Sequence, residues 1–172
     1  MPKPSPQLKA SLTVVAFDFG TKSIGVALAM IVRGDMHDEN TSAPTASFLP
    51  QVSSELNPIK AIEGIPDWDI VESLLQQWSA DRVLVGLPFK SDGSDMEITR
   101  RARKFGNRLN ARFGLPLSFV DERLSTHHAK EEAFQRGHNG NFKQRPIDSI
   151  AARLILESWL SEQNFAHLHN PS

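Results

Sequence analysis

The most apolar stretch near the N-terminus is Leu12 to Phe19, β-rich and short enough for a buried strand. Gly20-Thr21-Lys22-Ser23 reads as a tight connection and Ile24 to Met30 as a second strand, which together predict a hairpin. From 33 to 66 the pattern turns polar and is broken by Pro44, Pro50, Pro58 and Pro66; a third strand is expected near Thr45 to Leu49. Helical spacing begins after Asp67, a candidate cap, with Ile70, Val71, Leu74, Leu75 and Trp78 on one face. Arg82 to Gly86 is a short buried strand. Ser94 and Glu97 have capping-box spacing and open a helix to about Phe113, with Ile98, Ala102, Phe105 and Leu109 as its apolar face and Gly114 as its stop. Leu117 to Val120 is another strand, ending at Asp121-Glu122. Ser125 can cap a helix closed by Gly137, a polar basic loop covers 138–145, and Pro146 precedes a last helix from Ile147 to about Leu160.

The predicted order begins β-β-β-α-β-α-β and ends in helix. Early hairpins imply antiparallel pairing and the later strand–helix alternation implies parallel pairing. The expected class is therefore α/β, a mixed β-sheet flanked by helices on both faces. A flexible, proline-bearing N-terminal arm over 1–11, a single domain over 12–161 and a C-terminal tail over 162–172 complete the expected organisation.

Composition narrows the chemistry. The 172 residues suit one domain with a full core, and no apolar run approaches a membrane span. The apolar stretch after the arm holds Asp18 and lacks a small-residue cleavage site, which argues against a signal peptide. With no cysteine there is no disulfide, zinc finger or thiol nucleophile, in keeping with a cytoplasmic protein. The net charge of −1 hides an uneven distribution. No acid lies between Glu97 and Asp121, whereas Arg100, Arg101, Arg103, Lys104, Arg108 and Arg112 do. Arg100, Lys104, Arg108 and Arg112 recur every fourth residue, so they form one stripe away from the apolar face. Such a stripe is either a solvated face or a phosphate-binding surface.

Three carboxylates stand where a solvated surface acid would not. Asp18 interrupts the most apolar strand, where an ionised group is costly unless paired or metal-bound. Glu122 follows a strand at its C-terminal edge, the edge at which α/β proteins place ligands. Asp148 opens the last helix, where it can also serve as a cap. Each has a structural alternative: a strand-end hydrogen bond for Asp18, a pair with Arg123 for Glu122, the cap for Asp148. Three such acids converging from three elements would suit a hard cation, Mg²⁺ or Mn²⁺, since there is no thiolate to favour a softer one.

A family resemblance rests on five motifs in order. They are Phe17-Asp18-Phe19-Gly20-Thr21-Lys22-Ser23-Ile24-Gly25-Val26-Ala27; Val85-Gly86-Leu87-Pro88 with Asp92-Gly93; Arg101-Ala102-Arg103-Lys104-Phe105; Asp121-Glu122-Arg123-Leu124-Ser125-Thr126; and Ile147-Asp148-Ser149 with Ala151-Ala152. Together they resemble the YqgF/RuvX family, Holliday-junction-resolvase-like proteins assigned to pre-16S ribosomal RNA processing. The resemblance covers roughly residues 12 to 160. It implies a ribonuclease-H-like fold and metal ligands at Asp18, Glu122 and Asp148, the same three reached from the residues. The stretch 33–60 is longer than the family's usual connection. His127 and His128 follow the fourth motif without belonging to it, and they and the other histidines read as surface residues.

The expected function is a metal-dependent nuclease with a two-ion site, acting on precursor ribosomal RNA or, as the alternative, on branched DNA at a Holliday junction. Gly20 could let a phosphate approach the backbone, and Lys22, Arg100, Lys104, Arg108, Arg123, Lys143 and Arg145 are the candidate nucleic-acid contacts, Arg123 alternatively orienting Glu122. Two rivals remain. An actin-like ATPase or sugar kinase also opens on an Asp-x-Gly-Thr hairpin but needs two such domains. A non-catalytic nucleic-acid-binding protein fits the basic stripe but not three convergent acids. No membrane partner is expected, and no oligomeric state follows from the sequence.

Overall fold

The computed structural model describes residues 11–36, 45–124 and 147–169. The hairpin expected at the N-terminus is formed by β1 (Ser11–Asp18) and β2 (Ser23–Met36), paired antiparallel from Ser11/Val32 to Asp18/Gly25. Val15 and Phe17 face one side of β1 and Val14 and Ala16 the other, all of them buried, so the run is apolar because it is covered on both faces.

The third strand is much longer than expected. β3 (Thr45–Ile62) runs antiparallel to β2 from Ser23/Lys60 out to Met36/Thr45. The described part of 33–60 thus lengthens the β2/β3 pair, and Pro50 and Pro58 do not end it because of where they fall. Pairing slips between Met30/Val52 and Ile31/Pro50, and again between Ile24/Ile59 and Val26/Leu56, across Pro58. A bulge is one of the few places where a strand tolerates a residue with no N–H. A two-residue strand, β4 (Ile65–Pro66), caps the edge.

Helix α1 (Trp68–Gln77) begins as expected, the Asp67 carboxylate accepting from Asp69 N–H at 3.0 Å. It buries Val71 and Leu75, while Ile70 stays half exposed to solvent. β5 (Arg82–Leu87) lies parallel to β1, and β6 (Leu117–Asp121) parallel to β5. Between them α2 (Glu97–Phe113) buries Ala102, Phe105 and Leu109 and stops at Gly114, whose φ of 64° is left-handed. Its start differs from the expectation. Ser94 is occupied by Asp92 in a local turn, Ser94 N–H and Oγ–H both reaching Asp92 Oδ1. The Thr99 hydroxyl instead accepts from Met96 N–H at 3.0 Å and donates to Pro88 O, so Met96 is the cap residue.

The sheet order is β4-β3-β2-β1-β5-β6. One face packs on α1 and α2 through Phe17, Leu75, Val85, Phe105 and their neighbours. The other packs on α3 (Ile147–His169) through Ala16, Leu84, Ala152, Ile155 and Leu156. A fully buried valine or leucine of this kind contributes about 1.5–3 kcal/mol. The expected mixed sheet with helices on both faces is therefore present. α3 runs beyond the expected end near Leu160, because no glycine or proline intervenes before Pro171. The helix expected over 125–137 and the loop over 138–145 lie outside the described residues.

Candidate active site

Strand register brings Asp18 and Glu122 to one place. Phe17 is level with Val85 on β5, so the next pair along the parallel ladder is Asp18 and Gly86. Gly86 in turn is level with Val120 on β6, two residues before Glu122. Alternation from Ala16, Leu84 and Val120, all buried against α3, turns Asp18, Gly86 and Glu122 toward that same face. The three parallel strands end here, and Glu122 leaves β6 on a single 3₁₀ turn, Glu122–Leu124. Gly86 keeps the space between the two acids clear. A Cβ there would lie 2.6 Å from Glu122 Oε1 and would collide with Ile155 of α3. Asp18 and Glu122 are half-buried and each is engaged in further contacts.

Asp148 is the second residue of α3. Its side chain lies outside the described residues; its backbone is located by Ser149. Ser149 is fully buried, and its hydroxyl donates to Leu56 O on β3 and lies 3.5 Å from Val26 N on β2. Val26 pairs with Phe17, the residue before Asp18. The first turn of α3 is therefore pinned to the sheet at the end where Asp18 stands. The fifth motif contains Ser149 without giving it a role; its partner is a carbonyl freed at the slip in the β2/β3 ladder. Ser149→Ala should cost about 1–3 kcal/mol, because a buried carbonyl loses its donor. Urea unfolding checks this, and an unchanged midpoint counts against the anchor. Among the described residues no three acidic or histidine side chains form a metal-binding group; two of the expected three acids lie among them.

The predicted cations separate into distinct environments. Lys22 is exposed on the β1–β2 turn, which is tied to the β3–β4 turn by Ala61 N–H to Lys22 O at 2.9 Å and Gly64 N–H to Thr21 O at 2.8 Å. Gly20 has no positive φ; its need for glycine comes from the Ser23 carbonyl, which occupies the place a Cβ would take. Arg123 engages Asp121, not Glu122: Nη2 reaches Asp121 Oδ2 at 2.7 Å and the guanidinium lies over the Phe89 ring. This hydrogen bonding holds the Asp121 carboxyl below its ordinary value and raises Arg123. Arg103 is likewise held by Asp95 at 2.7 Å. Arg100, Lys104 and Arg108 are exposed and line a shallow groove with Asn107 and Ala111. Arg112 stacks on Trp68 at 4.4 Å. Lys143 and Arg145 lie outside the described residues.

The family model described as "RuvX: Holliday junction resolvase" matches residues 44–162. A protein of Saccharophagus degradans is 50% identical over 149 residues, covering 87% of this chain and 93% of its own, and one of Actinobacillus succinogenes is 48% identical over 151 residues, covering 88% and 96%. Both are named "Putative pre-16S rRNA nuclease".

The chain belongs to the RuvX family.

Among solved structures, Thermus thermophilus RuvC in complex with a Holliday junction substrate superposes with a TM-score of 0.51 at 18% identity, covering 92% of this chain and 97% of that one. The RuvX-family chain thus has the ribonuclease-H-like fold that its motifs implied. No described helix is long and apolar enough to cross a membrane.

Proposed function

We propose that this chain is a divalent-metal-dependent nuclease that hydrolyses phosphodiester bonds in maturing the 5′ end of pre-16S ribosomal RNA. The observation that carries the reading is its 44–50% identity, over most of both chains, to proteins named "Putative pre-16S rRNA nuclease". The local chemistry agrees. Asp18 and Glu122 share one sheet face across the bare Gly86 at the C-terminal ends of parallel strands, and all-oxygen donors suit a hard cation. Asp18, Glu122 and Asp148 would hold Mg²⁺ or Mn²⁺. A two-ion site supplies an activated water and stabilises the leaving oxygen. The remaining work belongs to the chain: Lys22, Arg100, Lys104, Arg108, Arg123, Lys143 and Arg145 position the backbone, mostly without reading sequence. The catalytic unit spans residues 12–161, and a ribosomal substrate implies a cytoplasmic protein.

Resolution of branched DNA is the second reading, favoured by the description of the family model. Digesting precursor ribosomal RNA and a four-way DNA junction side by side, with Mg²⁺, Mn²⁺ or EDTA, separates the two. The expected result is metal-dependent shortening of the RNA with the junction intact. Junction cleavage with intact RNA reverses the assignment, and chelator-insensitive binding without cleavage overturns both.

The exposed basic stripe gives a further expectation. Replacing Arg100, Lys104 and Arg108 with glutamine should weaken binding across sequences and flatten the log–log salt dependence by about 0.7 per lost single-strand phosphate contact. Stability should hold, because Ala102, Phe105 and Leu109 are untouched and glutamine is a good helix former. An unchanged salt slope would reduce the stripe to a solvated face.

A further inference from the structure

A second concavity lies on the opposite face of the same sheet end. Its volume is about 200 Å³. Its floor is aromatic: Phe19, Trp68 and Phe105, with Trp68 stacked on Phe105 at 5.8 Å and 22° and Phe19 at 5.6 Å from Phe105. Its rim is cationic: Arg101, Lys104 and Arg108. Arg101 is fixed there by donating from Nη2 to Glu63 O at 2.7 Å. Lys104 and Arg108 have no ion-pair partner among the described residues. Among the described residues Glu63 is the one acid in the wall, and the carbonyl of that residue, not its carboxylate, is what Arg101 uses. Gly64 completes the wall with a left-handed φ of 77°, and a Cβ there would come 2.7 Å from Phe19 Cζ, so the turn and the aromatic floor are fitted to each other.

We propose that this concavity is a nucleotide subsite, in which one base of a single strand lies against the Trp68–Phe19 floor while its phosphate is held by Arg101 and Lys104. Aromatic faces flanked by cations are the arrangement by which single strands are held without sequence readout. The volume is below the roughly 300–1,000 Å³ of pockets for drug-sized ligands, so the concavity admits one base, with the sugar and phosphate at its cationic rim. Position ties the subsite to the candidate active site. Phe19 follows Asp18 directly, and strand alternation sends the two side chains to opposite faces of one sheet end. A strand crossing that end can present one phosphate to Asp18 and an adjoining nucleotide to Trp68. The subsite therefore deepens the nuclease reading and rests on it for its substrate, though its binding does not require metal.

The test uses the full chain in EDTA, titrated with a short single-stranded RNA, with adenosine 5′-monophosphate and with inorganic phosphate, following tryptophan emission and binding. RNA and the mononucleotide should change the emission, and phosphate alone should bind roughly tenfold more weakly because it lacks a base to stack. Trp68→Phe should abolish most of the emission change while keeping affinity within about twofold, since phenylalanine still stacks. Arg101→Gln with Lys104→Gln should weaken RNA binding about tenfold or more, and Arg101→Lys with Lys104→Arg should restore most of it. An emission change that survives Trp68→Phe, phosphate binding as tightly as the mononucleotide, or a glutamine double variant that binds as wild type with an unaltered circular dichroism melt would each overturn the subsite. Cleavage is read separately on precursor RNA. Failure of wild type to cleave while the mononucleotide still binds sinks the nuclease reading alone; intact cleavage with no pocket binding sinks the subsite alone.

Discussion

Asp18→Asn should reduce phosphodiester cleavage by about 100-fold or more, the scale of losing one charge-stabilising group at a reacting centre, while leaving the fold and nucleic-acid binding in place. Asparagine keeps the volume and shape of the side chain, so the β1 ladder from Ser11/Val32 to Asp18/Gly25 and the packing of Phe17 are undisturbed. What it removes is a full negative charge from a half-buried position facing α3. A cation held by oxygen donors loses most from that change, because the neutral amide oxygen is a weaker ligand for a hard ion. Cleavage rates at saturating Mn²⁺, set beside a thermal melt and a binding curve in EDTA, make the comparison. Turnover near that of wild type would remove Asp18 from the mechanism. Loss of the fold together with the activity would instead mark it as a structural strand-end acid.

Gly86→Ala is the second substitution expected to do large damage, through two routes that can be told apart. The new methyl would meet Ile155 of α3, and overpacking of this kind costs about 1–3 kcal/mol. It would also come 2.6 Å from Glu122 Oε1, forcing that carboxylate away from the space it shares with Asp18. Ile155→Val on the same background removes a methyl from the crowded side and should recover part of the stability. It leaves the contact with Glu122 untouched, so cleavage should stay depressed by about tenfold or more. Denaturation midpoints and cleavage rates for the two singles and the double give the cycle. Activity that returns in step with stability would mean that Gly86 serves packing only.

Much of the architecture was legible along the chain because its signals are local. The apolar run of β1, the turn at Gly20, the Asp67 cap and the Gly114 stop each depend on a few neighbouring residues, and each stands as read. Asp18 and Glu122 were legible as candidates for the same reason: a charge inside an apolar strand or just past one is unusual wherever it occurs. The misreadings share one cause. Pro50 and Pro58 argue against a long strand until the partner strand is known to slip beside each of them. Ser94 has the spacing of a cap, but Asp92 takes its hydroxyl first. Arg123 could have served Glu122, but Asp121, two residues away, offers both carboxylate oxygens.

By itself the sequence determined the types of most described elements, the burial of β1, the supply of oxygen and cationic side chains, and, through its motifs, the RuvX family. Only the tertiary structure decided that Gly86 keeps the ground between Asp18 and Glu122 clear, that Ser149 pins the start of α3 to a freed carbonyl, and that Arg101 and Lys104 meet Trp68 around one concavity. These are contacts between residues tens of positions apart. Their existence depends on the register in which β1, β5 and β6 align and on which sheet face each helix covers. A one-residue slip of β1 against β5 and β6 would turn Asp18 to the other sheet face, away from Glu122, and no local pattern in the chain reports it.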